Sequence, residues 1–234
     1  VKTIQSFMGA SLVGLTLCLS SNAQELSDFD AQVRDTLLRN PSIILEVFAK
    51  LEAEEELQKA KADLKLIEGA EADLFADVSS DEPILIEFLD YNCGYCQRAH
   101  GELLRLREAA PNVKIVYKQF PILGDESRKL SELMTAFSHI ASEGDFEHAH
   151  TKLMTGDREI RSDLVSFFEE YGVSYDELVK LSKSDLVQNE IQNNYSLARS
   201  LNISGTPGFV SRKAIVRGYA DAVRLKEISE PVTE

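Results

Sequence analysis

Hydrophobic and polar positions change rhythm several times along the chain. An almost unbroken apolar run from Phe7 to Leu19 follows the basic Lys2 and gives way to Ser20-Ser21-Asn22-Ala23. A basic start, a short apolar core and small residues at Ser21 and Ala23 predict a secretory signal peptide over 1–23, cleaved after Ala23. The run falls short of the roughly 20 residues that a membrane-spanning helix needs. From Glu25 to about Ala76 the spacing turns helical. Ser27 or Asp28 is expected to cap a first segment that ends at Asn40-Pro41, and Pro41 suits the first turn of a second, longer helix. Its apolar positions are Ile44, Val47 and Leu51, then Ala53, Leu57, Ala60, Leu64 and Ile67. The later set steps alternately by four and three, a heptad seam framed by Glu52, Glu54, Glu55, Glu56, Lys59, Lys61, Asp63 and Lys65. Residues 24–80 therefore read as a helical arm. It either lies on its own domain or builds a homo-oligomer through residues 25–76.

Asp81-Glu82-Pro83 marks a boundary, and the rhythm shortens to that of strands. Ile84 to Asp90 is an apolar run of strand length. A helical pattern from Cys96 through Ala109 carries Ala99, Leu103 and Leu106, and Val113–Phe120 is a second strand ended by Pro121. A β–α–β unit whose first strand is apolar on both faces implies a sheet covered by helices. Residues 126–202 read as helices broken at Gly144, Gly156 and Gly172, with core sets Leu130/Leu133/Met134/Phe137 and Leu164/Phe167/Phe168/Tyr171. Gly205-Thr206-Pro207-Gly208 stops the helices. Two short strands follow, Phe209–Ser211 and Ala214–Arg217, then a last helix to about Glu230. The turn at Arg212-Lys213 lacks the Gly or Asn usual in tight hairpins. The expectation is an α/β domain over 81–234 with a helical insertion at about 126–202.

Composition narrows the chemistry. The formal charge is −14 and no Lys/Arg cluster offsets it, which excludes nucleic acid as a partner. Three cysteines rule out a four-Cys zinc site and a multi-disulfide framework within one chain. Cys18 leaves with the signal peptide, and the bulky Leu17 before it argues against a lipid anchor there. Cys93 and Cys96 remain, one C-x-x-C pair in an exported chain, where thiols pair with each other, with a partner protein or with a metal.

Cys93 falls where a strand ends and a helix begins. Free backbone N–H groups and the positive end of the helix macrodipole favour negative charge on sulfur at such a place. Cys96 lies on the same side of the first turn and can displace a mixed disulfide formed at Cys93. This makes Cys93 the nucleophile and Cys96 the resolver. A purely structural disulfide is the weaker reading, since so short a loop saves little chain entropy. A metal site from Cys93, Cys96 and His100 is a further alternative, but His100 is more simply a packed histidine. We expect no metal and no cofactor.

The stretches Phe88-Leu-Asp-Tyr-Asn-Cys-Gly-Tyr-Cys-Gln-Arg-Ala-His100, Tyr117-Lys-Gln-Phe-Pro-Ile-Leu-Gly124 and Ser204-Gly-Thr-Pro-Gly-Phe209 resemble the DsbA family of periplasmic thiol-disulfide oxidoreductases. The resemblance implies a thioredoxin fold with a helical insertion, here preceded by the N-terminal helical arm. It implies that Pro207 is cis and packs against the cysteine pair, and that the Thr206 backbone pairs with an extended substrate segment. Glu87 matches the buried acid that such proteins use in proton transfer for the resolving cysteine, with Lys118 as a candidate counter-charge. Gly94-Tyr95 between the cysteines lacks the Pro-His of strongly oxidising relatives. With Thr206 it is similar to the isomerase DsbC, and the arm resembles ScsC-type proteins, some of which oligomerise through it. These likenesses imply thiol-disulfide exchange on unfolded or misfolded exported proteins in the periplasm, biased to isomerase or reductase work and fed by a membrane thiol reductase. The alternatives are a DsbA-like dithiol oxidase served by a quinone-linked membrane oxidase, a copper-binding tolerance protein, and a holdase chaperone.

Overall fold

The computed structural model describes residues 18–76, 78–155 and 158–231. The chain divides into two compact units between Gln58 and Lys59. The expected signal peptide lies outside the described residues as far as residue 17, and Gly156 lies outside them as well.

The first unit is built from α1 (Cys18–Arg39) and the leading part of α2 (Ser42–Gly69). Helix α1 begins ahead of Ser27 and Asp28, so neither is the expected cap. Gln24, Glu25 and Leu26 are good helix formers with no Gly or Pro to interrupt them, and the helix runs on through. Its end falls where expected. The Asn40 backbone N–H and side-chain amide both donate to the Thr36 carbonyl at 3.0 Å, and Pro41 leads into α2. Between residues 27 and 58 no side chain is buried.

The second unit continues with α3 (Glu71–Phe75), β1 (Ile84–Leu89), α4 (Gly94–Ala109) and β2 (Lys114–Gln119). The insertion follows as α5 (Asp125–Ser138), α6 (Glu143–Met154), α7 (Arg158–Ser162), α8 (Leu164–Glu169), α9 (Tyr175–Ser182) and α10 (Asp185–Ser200). Strands β3 (Gly208–Val210) and β4 (Ile215–Arg217) and helix α11 (Ala222–Ser229) close the fold. The sheet order is β2-β1-β3-β4, with β1 parallel to β2 and antiparallel to β3.

Alternation along β1 sends its side chains to the two faces of the sheet, where they join three core clusters. Ile84, Ile86 and Phe88 pack with Ile67, Leu74, Phe75, Leu197 and Ile203, from α2, α3, α10 and the loop after it. Leu85 packs with Leu103 and Leu106 of α4 and Leu225 of α11, while Leu89 joins the core of the insertion, with Met134, Phe137 and Phe168. Asp63, which the heptad pattern places among solvated charges, is buried instead and takes a forked ion pair from Arg217 at 2.8 and 3.0 Å. Of the seam positions from Lys59 onward, Ile67 is buried and Leu64 stays 39% exposed.

Local chemistry accounts for the boundaries. Helix α6 starts at the Ser142 cap, whose hydroxyl accepts the Asp145 N–H at 3.2 Å, so Gly144 sits inside its first turn instead of breaking it. Gly172 does end a helix, with φ +72°. The hairpin lacking Gly or Asn is held by Ser211: its hydroxyl accepts the Lys213 and Ala214 N–H groups at 3.1 and 3.2 Å. Gly208 packs closely, since a Cβ there would stand 2.8 Å from Ile203 Cγ2 and that side chain would have to shift. Among the described residues no helix is long and apolar enough to cross a membrane.

Candidate active site

Strand β1 delivers the chain to Asp90, a fully buried carboxylate that organises the next turn. One oxygen accepts the Asn92 N–H at 2.8 Å, and the other accepts the Ile122 and Leu123 N–H groups at 2.8 and 3.0 Å. The loop before α4 is thereby tied to the loop after β2. Arg161 of α7 clamps the same turn from the insertion, donating to the Tyr91 carbonyl at 2.6 Å, to the Leu153 carbonyl at 3.1 Å and to the Asn92 side chain. Neither Asp90 nor Arg161 stood out in the sequence. Asp90 resembled a strand end, and Arg161 lies 70 positions from its partner Tyr91.

Cys93 is the N-cap of α4, in extended conformation, and its sulfur accepts the Cys96 N–H at 3.4 Å. The same sulfur donates to the Thr206 carbonyl at 3.2 Å, which brings residues 113 positions apart into contact. The Thr206–Pro207 peptide bond is cis. Cys93 is 7% exposed and Cys96 not at all, so the first thiol faces the mouth of the site and the second is sealed beneath it. Both are free thiols here. Tyr95 is exposed, and its ring lies under the Arg98 guanidinium at 4.0 Å. Gly94 opens α4 between Cys93 and Tyr95.

Glu87 sits on the face of β1 that looks toward α4 and is fully buried, with neither carboxylate oxygen hydrogen-bonded. Burial, and then the nearby Cys93, hold its carboxyl well above the usual carboxylate range. Burial also pushes the Cys96 thiol far up, and Glu87 adds to this. Lys118 is not the counter-charge. The parallel register sets Tyr117 opposite Glu87 and Lys118 opposite Phe88, which turns the lysine to the other face, beside Asp73 and Glu190.

His100 is buried, with both ring nitrogens unpaired and its ring 5.1 Å from that of His150. Among the described residues no three His, Cys, Asp or Glu side chains are grouped to hold a metal ion.

A cysteine pair at a helix N-terminus, in contact with a cis-proline loop at the end of a four-stranded mixed sheet, defines a thioredoxin-fold thiol-disulfide oxidoreductase. Comparison with known proteins agrees. The model of the DSBA-like thioredoxin domain matches residues 84–229, and that of the copper resistance protein ScsC N-terminal domain matches 27–58. Among solved structures, a thioredoxin-like oxidoreductase from Silicibacter pomeroyi is 32% identical over 62% of this chain and 83% of its own, with a TM-score of 0.56. A linker-deleted variant of Proteus mirabilis ScsC is 26% identical over 94% of this chain and 97% of its own, with a TM-score of 0.59. The thiol-disulfide exchange protein alpha-DsbA2 from Wolbachia pipientis, at 22% identity and a TM-score of 0.61, shares the fold. No curated protein sequence matches. The chain belongs to the DSBA-like thioredoxin family.

Proposed function

We propose that this protein shuffles and reduces disulfides in exported proteins of the periplasm, after removal of residues 1–23. Cys93 attacks the client disulfide, and Cys96 resolves the mixed disulfide while Glu87 takes the Cys96 proton. The observation that carries this reading is the surroundings of the Cys93 sulfur: a single long backbone N–H contact from Cys96 on one side and the Thr206 carbonyl on the other. Tyr95 engages Arg98 and Gly94 has no side chain, so neither residue between the cysteines supplies a donor to that sulfur. A reduced form with few donors to its sulfur is less favoured, and the disulfide is correspondingly less oxidising. The Thr206–Pro207 edge, open to an extended segment, holds the client backbone beside Cys93.

The arm within residues 24–80 supplies the second requirement of a shuffling enzyme. Its exposed apolar side chains include Phe29, Ile44, Val47, Phe48 and Leu51. Joining copies through that surface puts several redox pairs within reach of one misfolded client, which raises their effective concentration. A membrane thiol reductase keeps the pair reduced.

The test is recovery of activity from scrambled ribonuclease by the full mature chain and by a chain beginning at Lys59, which keeps Asp63, Ile67 and Phe75 in place. The expected outcome is loss of isomerase activity with insulin-reductase activity retained. Equal isomerase activity in both chains overturns the oligomeric-shuffler reading. Substitution Cys96→Ala should trap mixed disulfides with clients through Cys93, whereas a copper-sequestering protein would lose metal affinity and trap nothing.

A further inference from the structure

Cys96 and Glu87 are both without exposed surface, yet each turnover must carry a proton away from them. The buried polar atoms without partners include both Glu87 oxygens, both His100 nitrogens, His150 Nε2 and Gln119 Oε1. Buried polar atoms are almost always paired, so such a group calls for a use. His100 follows Cys96 by one turn of α4, on the same side. His150 comes from α6 and lies 5.1 Å from His100 and 4.0 Å from Tyr117, ring centre to ring centre. Gln119 Nε2 donates to the Tyr91 hydroxyl at 3.3 Å, which leaves that O–H to donate to His150 Nδ1 at 2.9 Å. Tyr117, paired with Glu87 in the sheet, accepts from Arg107 Nη2 at 3.2 Å, and Arg107 bonds Glu147 at 2.6 Å. Arg107 and Glu147, 35% and 25% exposed, reach solvent at a cleft of about 320 Å³.

We propose that His100, His150 and the tyrosines Tyr91 and Tyr117 form a proton route from the buried Cys96–Glu87 pair to solvent at Arg107–Glu147, separate from the mouth where clients react. The proposal rests on the roles given above to Cys93, Cys96 and Glu87. In the resolving step the Cys96 S–H proton passes to a Glu87 carboxylate oxygen. The Cys96 sulfur bonds to Cys93, and the client sulfur leaves with the electron pair of the broken bond. The proton then leaves Glu87 through the imidazole and phenol groups, restoring the carboxylate. Burial keeps His100 at about 4 and lowers His150 as well, so both rings rest neutral, able to accept at one nitrogen and donate at the other. The charged and titratable groups around the Cys96–Glu87 pair and the two histidines are Cys93, which acts on both members of that pair, Tyr91 from the turn after β1, Arg107 from α4, Tyr117 from β2 and Glu147 from α6. All four route residues are positioning residues, since none touches the client.

The test uses the full reduced mature chain and Ellman's disulfide in stopped flow. The first thionitrobenzoate is released by attack of Cys93 and the second by attack of Cys96. Tyr117→Phe deletes one hydroxyl, and His150→Phe keeps a ring of similar size. Each should slow the second release roughly ten-fold and leave the first within about two-fold, with the pH dependence of the second phase altered. The unsubstituted chain should show a deuterium-solvent slowing of the second release beyond that of the first. Second-phase rates and pH profiles equal to those of the unsubstituted chain in both variants overturn the route. If His150→Phe fails to fold, Tyr117→Phe and the solvent effect decide, and absence of either change overturns it. Absence of the first release would instead overturn the assignment of Cys93.

Discussion

From residue 27 to residue 58 every side chain is exposed or half-exposed, while from Ile84 to Asp90 none is. Both stretches are rich in large apolar residues. Ile44, Val47, Phe48 and Leu51 follow the spacing of one helix face, and along β1 the side chains alternate between the two covered faces of the sheet. In the domain that pattern is answered within the same chain. In the arm, nine large apolar side chains from Phe29 to Leu57 stay open. Each would gain about 1.5–3 kcal/mol if fully covered. Periodicity reports that a face seeks cover; it does not say whose chain supplies it.

The contrast can be broken most forcefully through the core. Phe88→Ala removes a fully buried ring and should cost about 3–5 kcal/mol in urea unfolding of the domain. Leu45→Ala in the arm, 71% exposed, should move the same transition by less than about 0.5 kcal/mol. Equal effects would mean that the arm is part of the domain's cooperative unit. A smaller loss is expected at the helix spanning both regions: Asp63→Asn halves the forked pair with Arg217 and should cost about 2 kcal/mol, while the neighbouring exposed Lys61→Gln should cost nothing measurable.

The smallest effect is a gain. Glu87 is held above its unfolded value of 4.5, so the folded chain binds the extra proton and stability falls as pH rises through and beyond that value. Glu87→Gln escapes this loss. Its melting temperature should exceed that of the unsubstituted chain by a few degrees at neutral pH, with the difference closing as pH falls below 4.5. A difference that stays constant across pH would show that the carboxyl does not titrate in that way. The same substitution should slow resolution by Cys96, separating stability from chemistry at one atom.

Much of the domain was readable from local pattern. Apolar runs located all four strands, and the strand–cysteine–helix junction located the redox pair. What escaped depends on residues far apart in sequence. Asp63 looks solvated among the charges around it because its partner lies 154 positions away. Lys118 is a candidate partner for Glu87 from the adjacent strand, but a register offset of one residue changes the face. His150 carries no motif at all; only the packing of α6 brings it against Tyr91 and His100. The Arg212-Lys213 turn carries no Gly or Asn, yet a Ser211 hydroxyl accepting two backbone N–H groups serves equally.

Gly208, directly after the cis-proline, has a consequence for anyone tailoring this enzyme to new clients. With Ile203 Cγ2 only 2.8 Å from where a methyl would sit, randomising position 208 alone should return almost nothing but the parent residue. A library that shortens Ile203 in the same clones unlocks that site, so the two codons must be varied together.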